Sequence, residues 1–340
     1  MLKKFLLAVF LSVSFIICGF AGQIEAATLA QNVRGDLKIA MFDIGHGDAI
    51  LIQTGAQTIL IDTAMPDMNG VLVKDLEKFA VTRIDKLILT HPHSDHIGGA
   101  KILLSPTQEE LAAYPYLGKI SVAEVYDNGV AHTSKLYRNF MKAINKKGTP
   151  RQSLKAGDTL DFGNGVKFKV LNPTAAFVET VNAKNYDKDN VEYSINNGSI
   201  VGKLTYKNFS IMLTGDCVKE SEAKILASNS AKDLKCDVLK SGHHGARNAS
   251  AKEFVTTIAP SVVLISTPDK MENNVRIGNP NIRVLQNYLA CADKQNIFCT
   301  RFNGIITVTS DGQNFSVTPE KKEDWVDKWI AHKKILLKKK

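Results

Sequence analysis

Three histidines and one aspartate lie within six positions of the stretch THPHSDHIGG, residues 90–99. The side chains of His91, His93, Asp95 and His96 offer the nitrogen and oxygen ligands that zinc-like ions prefer. His91 and His93 are two residues apart, so in an extended chain they point the same way. Asp95 and His96 follow in a turn that can curl around a second ion. The spacing therefore predicts a metal site, because a polar loop with four such groups by chance is improbable.

The elements around this cluster indicate how it is positioned. The apolar run at 84–90 predicts a buried strand, and Gly98 and Gly99 allow a helix to begin close behind the cluster. Predicted strands lie at 36–44, 48–54, 57–63, 85–90, 119–127, 166–171, 198–206, 209–214 and 263–266, predicted helices at 70–80, 133–147 and 280–293, and a hairpin at 304–317. Two groups of strands, each with helices, predict one α/β domain of two sheets with helices outside. Residues 104–150 and 174–195 are predicted to be surface excursions.

A further potential ligand follows the apolar strand FSIMLTGDC at 209–217. Asp216 stands at the end of this strand, where the two oxygens of one carboxylate can bridge two metal ions. Taken alone, Asp216 is better explained as the N-cap of a helix that begins near Val218. Beside the histidine cluster, the bridging role becomes the stronger interpretation.

Two adjacent histidines, His243 and His244, lie in the stretch LKSGHHGARN at 239–248. Adjacent side chains in a strand point in opposite directions, so in a turn one can bind metal while the other faces the substrate. Alone, each is better explained as a hydrogen-bonded loop histidine. Together with the first cluster, the pair predicts one more ligand.

Other polar residues are expected near the site. Asp62, in ILIDTA, is predicted to accept the ring N–H of a metal-binding histidine and to fix its tautomer, the alternative being a turn aspartate without that role. Asp43 and Asp48 lie in a glycine-containing segment and are predicted to form turns at the rim of the site. His46, in the same turn, is a candidate substrate contact.

The order of these motifs resembles the metallo-β-lactamase superfamily. Within it, the stretches DIGHGDAILIQT, THPHSDHIGG, NNGSIV, LTGD and LKSGHHG resemble, in that order, the soluble hydrolase domain of the ComEC competence protein and its free-standing relatives. The resemblance covers residues 37–317, which we take as the hydrolase domain. It implies an α/β fold of the αββα four-layer sandwich type with a dinuclear metal site between the sheets.

The resemblance also implies which residues hold the metals. It assigns six ligands: His91, His93, Asp95, His96, Asp216 and His243. His91 and His93 would hold one divalent ion. Asp95 and His96 would hold the other, and Asp216 would bridge both. His244 is the alternative to the sixth ligand. Zinc is the expected metal, manganese is compatible with mixed oxygen and nitrogen ligands, and no organic cofactor is expected.

The sequence departs from the superfamily pattern at one place. Many members carry a further histidine in a Gly-His-Thr-like motif between the first cluster and the bridging aspartate, and this chain has NNGSIV there, at 196–201. His132 is the only histidine in that interval and is a candidate to approach the site. Asn197 or Asn128 is a candidate for an oxygen ligand or a substrate contact.

Two ions held in this way lower the pKa of a bridging water and supply a hydroxide near neutral pH. The predicted catalytic residues are Asp95 and His244, the latter as proton donor to the leaving group. The aspartate bridge favours phosphoester substrates, since classical β-lactamases usually carry a cysteine at the corresponding position. The predicted function is a phosphodiesterase or nuclease-like hydrolase acting on DNA or a phosphorylated wall polymer. The alternatives are hydrolysis of a β-lactam or other carbonyl ester, and a catalytically degenerate binding module.

The N-terminal segment predicts export. Lys3 and Lys4 precede an apolar run that ends near Phe20, and small residues follow at Ala26, so residues 1–26 are predicted to be a signal peptide. A retained membrane anchor is the alternative, but the run is short for a span and no basic stop-transfer cluster follows. The protein is therefore expected outside the cell or at its surface.

Four cysteines remain after the predicted signal peptide: Cys217, Cys236, Cys291 and Cys299. An even number of cysteines in an exported protein permits two disulfides. Cys291 and Cys299 are close in sequence and are predicted to form a local pair. Cys217 follows Asp216 directly, so an unpaired role for it stays open.

The formal net charge of +9 favours anionic partners, such as nucleic acid or a phosphorylated cell-wall polymer. Residues 318–340 form a basic C-terminal tail that contains Trp325 and Trp329. As an amphipathic helix, this tail could lie on an anionic membrane or wall surface. The preferred interpretation is a helix that packs its tryptophans on the core while its lysines stay in solvent.

Overall fold

The computed structural model describes residues 35–184, 194–267 and 278–338 of the chain. The predicted signal peptide at 1–26 lies outside the described residues. Two β-sheets stack face to face at the centre, and helices cover the outer face of each sheet. This is the αββα four-layer sandwich that the sequence motifs imply. Among the described residues, no helix is both long and apolar enough to cross a membrane.

Fifteen strands are described, and they are numbered in chain order. They are β1 (Leu37–Met41), β2 (Ile50–Gln53), β3 (Thr58–Ile61), β4 (Arg83–Leu89), β5 (Ser121–Asp127), β6 (Arg151–Ser153), β7 (Thr159–Asp161), β8 (Val166–Asn172), β9 (Val201–Tyr206), β10 (Phe209–Leu213), β11 (Val238–Lys240), β12 (Val262–Ile265), β13 (Ile297–Cys299), β14 (Ile306–Ser310) and β15 (Phe315–Pro319). Every strand predicted from the sequence is present. The three-residue strands β6, β7 and β13 are too short to leave a periodic pattern.

The described α-helices are also numbered in chain order. They are α1 (Asn69–Lys78), α2 (Ser94–Ile97), α3 (Ala100–Leu104), α4 (Gln108–Ala113), α5 (Lys135–Lys147), α6 (Ala175–Lys184), α7 (Lys219–Ser228), α8 (Ala231–Leu234), α9 (Lys252–Ile258), α10 (Ile282–Tyr288), α11 (Thr300–Asn303) and α12 (Val326–Lys338). The predicted helices at 70–80, 133–147 and 280–293 correspond to α1, α5 and α10.

The first sheet has the strand order β15-β14-β1-β2-β3-β4-β5-β6, and the second has the order β13-β12-β11-β10-β9-β8-β7. In each sheet the strands that lead into the chemical motifs are parallel: β3, β4 and β5 in the first sheet, and β10, β11 and β12 in the second. The carboxyl ends of parallel strands open onto a common edge, which is where ligand sites form in α/β sheets.

The layers follow from strands that are apolar on both faces. In β1, Ile39 and Met41 face the core between the sheets, whereas Ala40 faces the outer helices, because side chains alternate along a strand. Continuous apolar strands of this kind are typical of sheets covered on both sides. The helices α1, α3 and α5 close the first sheet, and α7, α9, α10 and α12 close the second.

One predicted surface excursion belongs to the core instead. Within 104–150, β5 pairs along its whole length with β4, and α5 buries Phe140, Ala143 and Ile144. The strand at 119–127 and the helix at 133–147 were predicted, but the many polar residues on the outer face of α5 concealed that its opposite side packs on the core. The second predicted excursion, 174–195, contains α6 and falls partly outside the described residues.

The C-terminal helix α12 packs its aromatic side chains on the second sheet. Trp325 and Trp329 are buried, and their indole N–H groups donate to Ile297 O at 3.0 Å and to Pro280 O at 2.8 Å. Lys333 is also buried and donates to Gly278 O at 3.0 Å. The packing of the two tryptophans confirms the core-packing interpretation of the tail, whereas the burial of Lys333 departs from its expectation that the lysines stay in solvent.

The predicted disulfide between Cys291 and Cys299 is wrong. All four described cysteines are free thiols. The Cys299 sulfur lies 3.1 Å from Thr267 Oγ1 inside the core, whereas the Cys291 sulfur faces Val255 O at 3.8 Å. Cys291 follows the end of α10 and Cys299 ends β13, so proximity in sequence does not bring the two sulfurs together.

Candidate metal centre

The predicted site residues gather at the carboxyl ends of parallel strands from both sheets. Asp62 follows β3 and His91 follows β4 in the first sheet, while Asp216 follows β10 and the adjacent histidines follow β11 in the second. The site therefore lies across the open edge of the sandwich. Each sheet contributes part of it, and neither sheet contains a complete set.

The first cluster forms a tight turn between β4 and α2. His91 Nε2 lies 3.0 Å from His93 Nδ1, as the two-residue spacing predicts for side chains on one side. His93 immediately precedes α2, and its carbonyl oxygen accepts hydrogen bonds from the backbone N–H groups of His96 and Ile97. The short helix turns Asp95 and His96 back toward the site.

Asp216 lies at the centre of the site. Its Oδ2 is 3.2 Å from His96 Nε2 and 3.9 Å from both His91 Nε2 and His243 Nε2. Its Oδ1 faces the other way and lies 3.3 Å from His244 Nε2. Each carboxylate oxygen thus faces a different group of imidazole nitrogens, which is the geometry that a bridging carboxylate requires.

Four of these side chains could hold one cation between them. The ligand atoms of Asp95, His96, Asp216 and His244 all lie within 4.8 Å of one another. In the described part of the chain, no hydrogen bond reaches three buried atoms of this group: His96 Nε2, Asp216 Oδ1 and His244 Nε2. Buried polar atoms are normally satisfied, and a divalent cation would satisfy all three at once. The residues therefore fit the metal that the fold implies.

The adjacent histidines adopt an uncommon backbone conformation that separates their roles. His243 and His244 have φ values of +46° and +53°, both in the left-handed region. His244 is fully buried, and its Nε2 also lies 3.4 Å from Asp95 Oδ2. The His243 side chain remains 27% exposed, with Nδ1 2.8 Å from Asn248 Oδ1. The geometry favours the alternative assignment, in which His244 is the ligand and His243 faces the substrate side.

Asp62 has the contact predicted for it. The side chain is buried, and its Oδ2 accepts the His96 Nδ1–H at 2.7 Å. Its two oxygens also accept hydrogen bonds from Thr90 N and Thr90 Oγ1, both at 2.7 Å. This fixes the ring of His96 so that its Nε2 points at Asp216, as a second carboxylate behind a metal ligand is expected to do.

Asp48 is not a turn-former at the rim, as the sequence suggested, but a buried residue behind the site. Its carboxylate pairs with the Lys240 ammonium and accepts a hydrogen bond from Ser266 Oγ. Ser266 Oγ in turn lies 3.0 Å from His244 Nδ1. Lys240 and Ser266 were not predicted as part of the site, although a lysine that ends the apolar strand β11 indicates a buried ion pair.

The turn before Asp48 packs directly against the histidine cluster. Gly47 has φ +118°, and a Cβ at this position would lie 2.1 Å from Asp95 O. His46 in the same turn places Nε2 at 3.2 Å from Asp95 Oδ2, and its side chain is 44% exposed. His46 therefore stands at the mouth of the site, where a substrate contact is possible.

The candidates for the missing central ligand lie at different distances from the site. The His132 ring is 6.4 Å from the His93 ring, and its Nδ1 accepts a hydrogen bond from Ser134 N. Asn197 Oδ1 instead accepts from Ser221 Oγ at 2.9 Å, and Asn128 uses its amide on Gly198 O. Within the NNGSIV stretch, Asn196 contacts a histidine of the site, with its Nδ2 3.3 Å from His243 Nε2.

The buried charges set the protonation of the site. Burial, together with the neighbouring charge of His96, lowers the pKa of His91 well below its ordinary value, so His91 presents a neutral nitrogen. Burial also opposes the charged form of His244, but the carboxylates of Asp216, Asp95 and Asp48 outweigh it and raise the pKa of His244 to about 9. His244 and His96 hold the pKa of Asp216 well below its usual range, although burial acts in the opposite direction. Binding of a cation would displace protons from the histidines.

Comparisons with known proteins show which family this chain resembles. The family model described as "Metallo-beta-lactamase superfamily" matches residues 43–173. The chain is 30% identical over 267 residues to ComE operon protein 3 of Bacillus subtilis. This alignment covers 73% of this chain and 30% of that protein. It is 24% identical over 235 residues to competence protein ComA of Neisseria gonorrhoeae, covering 69% of this chain and 27% of that protein. The chain thus spans less than a third of the length of these relatives.

Among solved structures, the metallo-β-lactamase fold protein YhfI of Bacillus subtilis has a TM-score of 0.48 and 13% identity, covering 80% of this chain and 99% of that one. The predicted resemblance to the metallo-β-lactamase superfamily and to competence proteins is confirmed by the family match and the sequence relatives.

Proposed function

We propose that this hydrolase of the metallo-β-lactamase superfamily is an exported phosphodiesterase that acts on nucleic acid or on a phosphorylated wall polymer. The observation that carries the proposal is the position of Asp216, which presents one oxygen to His244 and the other to His91, His96 and His243. Such an arrangement suits two divalent ions, zinc or manganese, which when bound supply a hydroxide and neutralise charge on the reacting oxygens.

The chain's own residues orient the site and admit the substrate. Asp62 fixes His96, and Asp48 fixes His244 through Ser266, so both imidazoles keep Nε2 directed at Asp216. The partly exposed His243 and His46 stand at the mouth, where their ring N–H groups can contact phosphate oxygens. The second sheet thus contributes a buried ligand and a surface contact from two adjacent residues.

The choice of a phosphoester rests on the bridging residue and on the net charge of the chain. The bridging residue is a carboxylate, which suits in-line displacement at phosphorus. The neighbouring Cys217 is buried, and burial raises the pKa of its thiol well above the ordinary value, so it does not offer a thiolate to the site. The net charge of +9 and the competence proteins among the sequence relatives support an anionic polymer such as nucleic acid.

The test compares metal binding with hydrolysis of three substrates. The chain without residues 1–26 is stripped of metal, reloaded with zinc or manganese, and assayed on bis(p-nitrophenyl) phosphate, single-stranded DNA and a β-lactam. We expect about two metal equivalents and diesterase turnover that falls by at least about 100-fold in Asp216→Asn. The control Asp161→Asn, in the exposed edge strand β7, should keep both.

Each other outcome has a distinct meaning. Turnover of the β-lactam alone would contradict the substrate class but keep the site. Absence of bound metal and of all turnover would favour a binding module. The capping alternative for Asp216 is already excluded, because the N-cap of α7 is Val218, which makes no side-chain capping hydrogen bond.

Export and surface contact are tested separately. Sequencing the N-terminus of the protein recovered from the native host's surface or medium should show that residues 1–26 are absent. Contact between the basic tail at 318–340 and an anionic surface is tested by sedimentation with phosphatidylglycerol vesicles. Full-length precursor confined to the cell interior would contradict export.

A further inference from the structure

Helix α5 carries a row of basic side chains along its outer face, which we call the basic stripe. It consists of four exposed residues: Lys135, Arg138, Lys142 and Lys146. Spacings of three, four and four residues place them one above the other on one side of the helix. The opposite side buries Phe140, Ala143 and Ile144, so the helix cannot turn the stripe away from solvent.

Among the described residues, no acidic side chain neutralises the charge of the stripe. No acidic residue occurs in the sequence from Asn128 to Gly157. Within residues 35–184, 194–267 and 278–338, no carboxylate forms an ion pair with any of the three stripe lysines. Four like charges in a row repel one another and create a local positive potential that attracts polyanions.

The stripe begins at the edge of the candidate metal centre. Helix α5 packs against α2, which carries Asp95 and His96, and against α3. In the loop that enters α5, the His132 ring lies 6.4 Å from the His93 ring and 6.4 Å from the Tyr137 ring in the first turn of α5. From there the stripe runs along about 16 Å of surface, at about 1.5 Å per residue.

We infer that the basic stripe is the docking track for the phosphate backbone of a DNA strand whose scissile bond lies at the metal centre. The inference rests on the proposed function. One strand carries a phosphate about every 3.4 Å along the helix axis, so a track of about 16 Å faces about five phosphates. Contacts of this kind are made to the backbone alone, so the track serves strands of any sequence.

The experiment measures binding and small-substrate turnover with separate readouts. Binding of a fluorescent single-stranded oligonucleotide is followed by anisotropy in metal-free protein lacking residues 1–26, across a range of salt concentrations. The stripe variant carries four substitutions: Lys135→Gln, Arg138→Gln, Lys142→Gln and Lys146→Gln. The control variant loses the same charge from exposed positions elsewhere: Lys167→Gln, Lys169→Gln, Lys232→Gln and Lys321→Gln. Circular dichroism and thermal melts establish that both variants are folded.

We expect the stripe variant to bind the oligonucleotide at least about tenfold more weakly than the control variant. Its slope of log K against log salt should fall by about 3, because each lost phosphate contact removes about 0.7 from the slope for single strands. Turnover of bis(p-nitrophenyl) phosphate by the metal-loaded stripe variant should match that of the parent, since this substrate is too small to reach the stripe.

Equal oligonucleotide affinity in the stripe and control variants would overturn the inference. So would a stripe-dependent affinity for poly(glycerol phosphate) accompanied by none for DNA, since the occupant would then be a wall polymer. Binding is measured without metal, so the docking result does not depend on turnover. A protein that lacks all diesterase activity would therefore refute the proposed function without changing the outcome of the binding test.

Discussion

Removal of the Lys240 ammonium should destabilise the protein more than removal of any surface lysine. Lys240 is fully buried, pairs with the buried Asp48 carboxylate and donates to Gly215 O at 2.8 Å. Its ammonium also lies 4.0 Å from Asp216 Oδ1. In Lys240→Met the stem is replaced by a side chain of similar length, but the buried Asp48 carboxylate loses its ammonium partner.

The magnitude follows from the cost of an uncompensated buried charge. Breaking a buried ion pair by removing one partner typically costs about 3–5 kcal/mol, of a total stability of about 5–15 kcal/mol. Asp48 retains the hydrogen bond from Ser266, which does not supply a charge. We therefore expect Lys240→Met to lower the free energy of unfolding by about 3–5 kcal/mol. Adding Asp48→Asn should recover about 1–3 kcal/mol, because the orphaned charge is then gone.

Urea unfolding in the presence of a chelator, followed by tryptophan fluorescence and circular dichroism, measures these free energies. The matched control is Lys78→Met, since Lys78 also pairs with a carboxylate, that of Glu320, but the two side chains are 51% and 45% exposed. An exposed pair contributes about 0–1 kcal/mol. A loss below about 1 kcal/mol in Lys240→Met, equal to that in the control, would refute the argument that a buried ion pair supports the site.

Three further predictions concern the turn, a buried acid and the thiols. Gly47→Ala should lower diesterase turnover by about 100-fold, because the added Cβ would displace the backbone of Asp95. The control Gly157→Ala should leave turnover unchanged, since Gly157 also has a positive φ, +101°, but no atom lies within 4 Å of its Cβ position. Kinetics on bis(p-nitrophenyl) phosphate measures both variants. Burial raises the pKa of Asp75 to about 6, so the folded state binds the proton more tightly than the unfolded state. The free energy of unfolding of the parent should therefore fall relative to Asp75→Asn as pH rises from about 4 to 6, and a constant difference in urea melts would contradict this. Thiol titration of protein unfolded without reductant should find Cys291 and Cys299 free, and a mass change on reduction would show a disulfide instead.

The fold was predictable because its motifs stand at strand ends. The runs before His91 and Asp216 each contain three consecutive apolar residues, Leu87–Leu89 and Ile211–Leu213, which indicates strands covered on both faces. Polar groups directly after such strands must meet at the open edge of the sheets. The sequence therefore predicts both the sandwich and the assembly of the two ligand clusters. The three-residue strand β11, by contrast, is recognisable only because it leads into the adjacent histidines.

The finer contacts of the site depend on partners that are distant in sequence. Asp48 resembles a turn residue in DIGHGDA, and only the approach of Lys240 from the second sheet makes its burial possible. Asn197 was a reasonable candidate ligand, but its amide oxygen accepts a hydrogen bond from Ser221 at the start of α7. The left-handed backbone at His243 and His244 decides which ring is buried, and side-chain type does not encode that conformation.

The pairing of β1 with β14 has a consequence for the order of folding. The first sheet is complete only when β14, near the end of the chain, lies beside β1 from its beginning. Folds dominated by such distant pairings form slowly, because loop-closure entropy is lost before the contacts form. The cluster at His91 to His96 is synthesised long before Asp216 and His244, so the nascent chain presents only a partial set of ligands. Tight metal capture should thus mark the completed fold, and the rate of metal uptake by refolding chains should follow the rate of sheet closure.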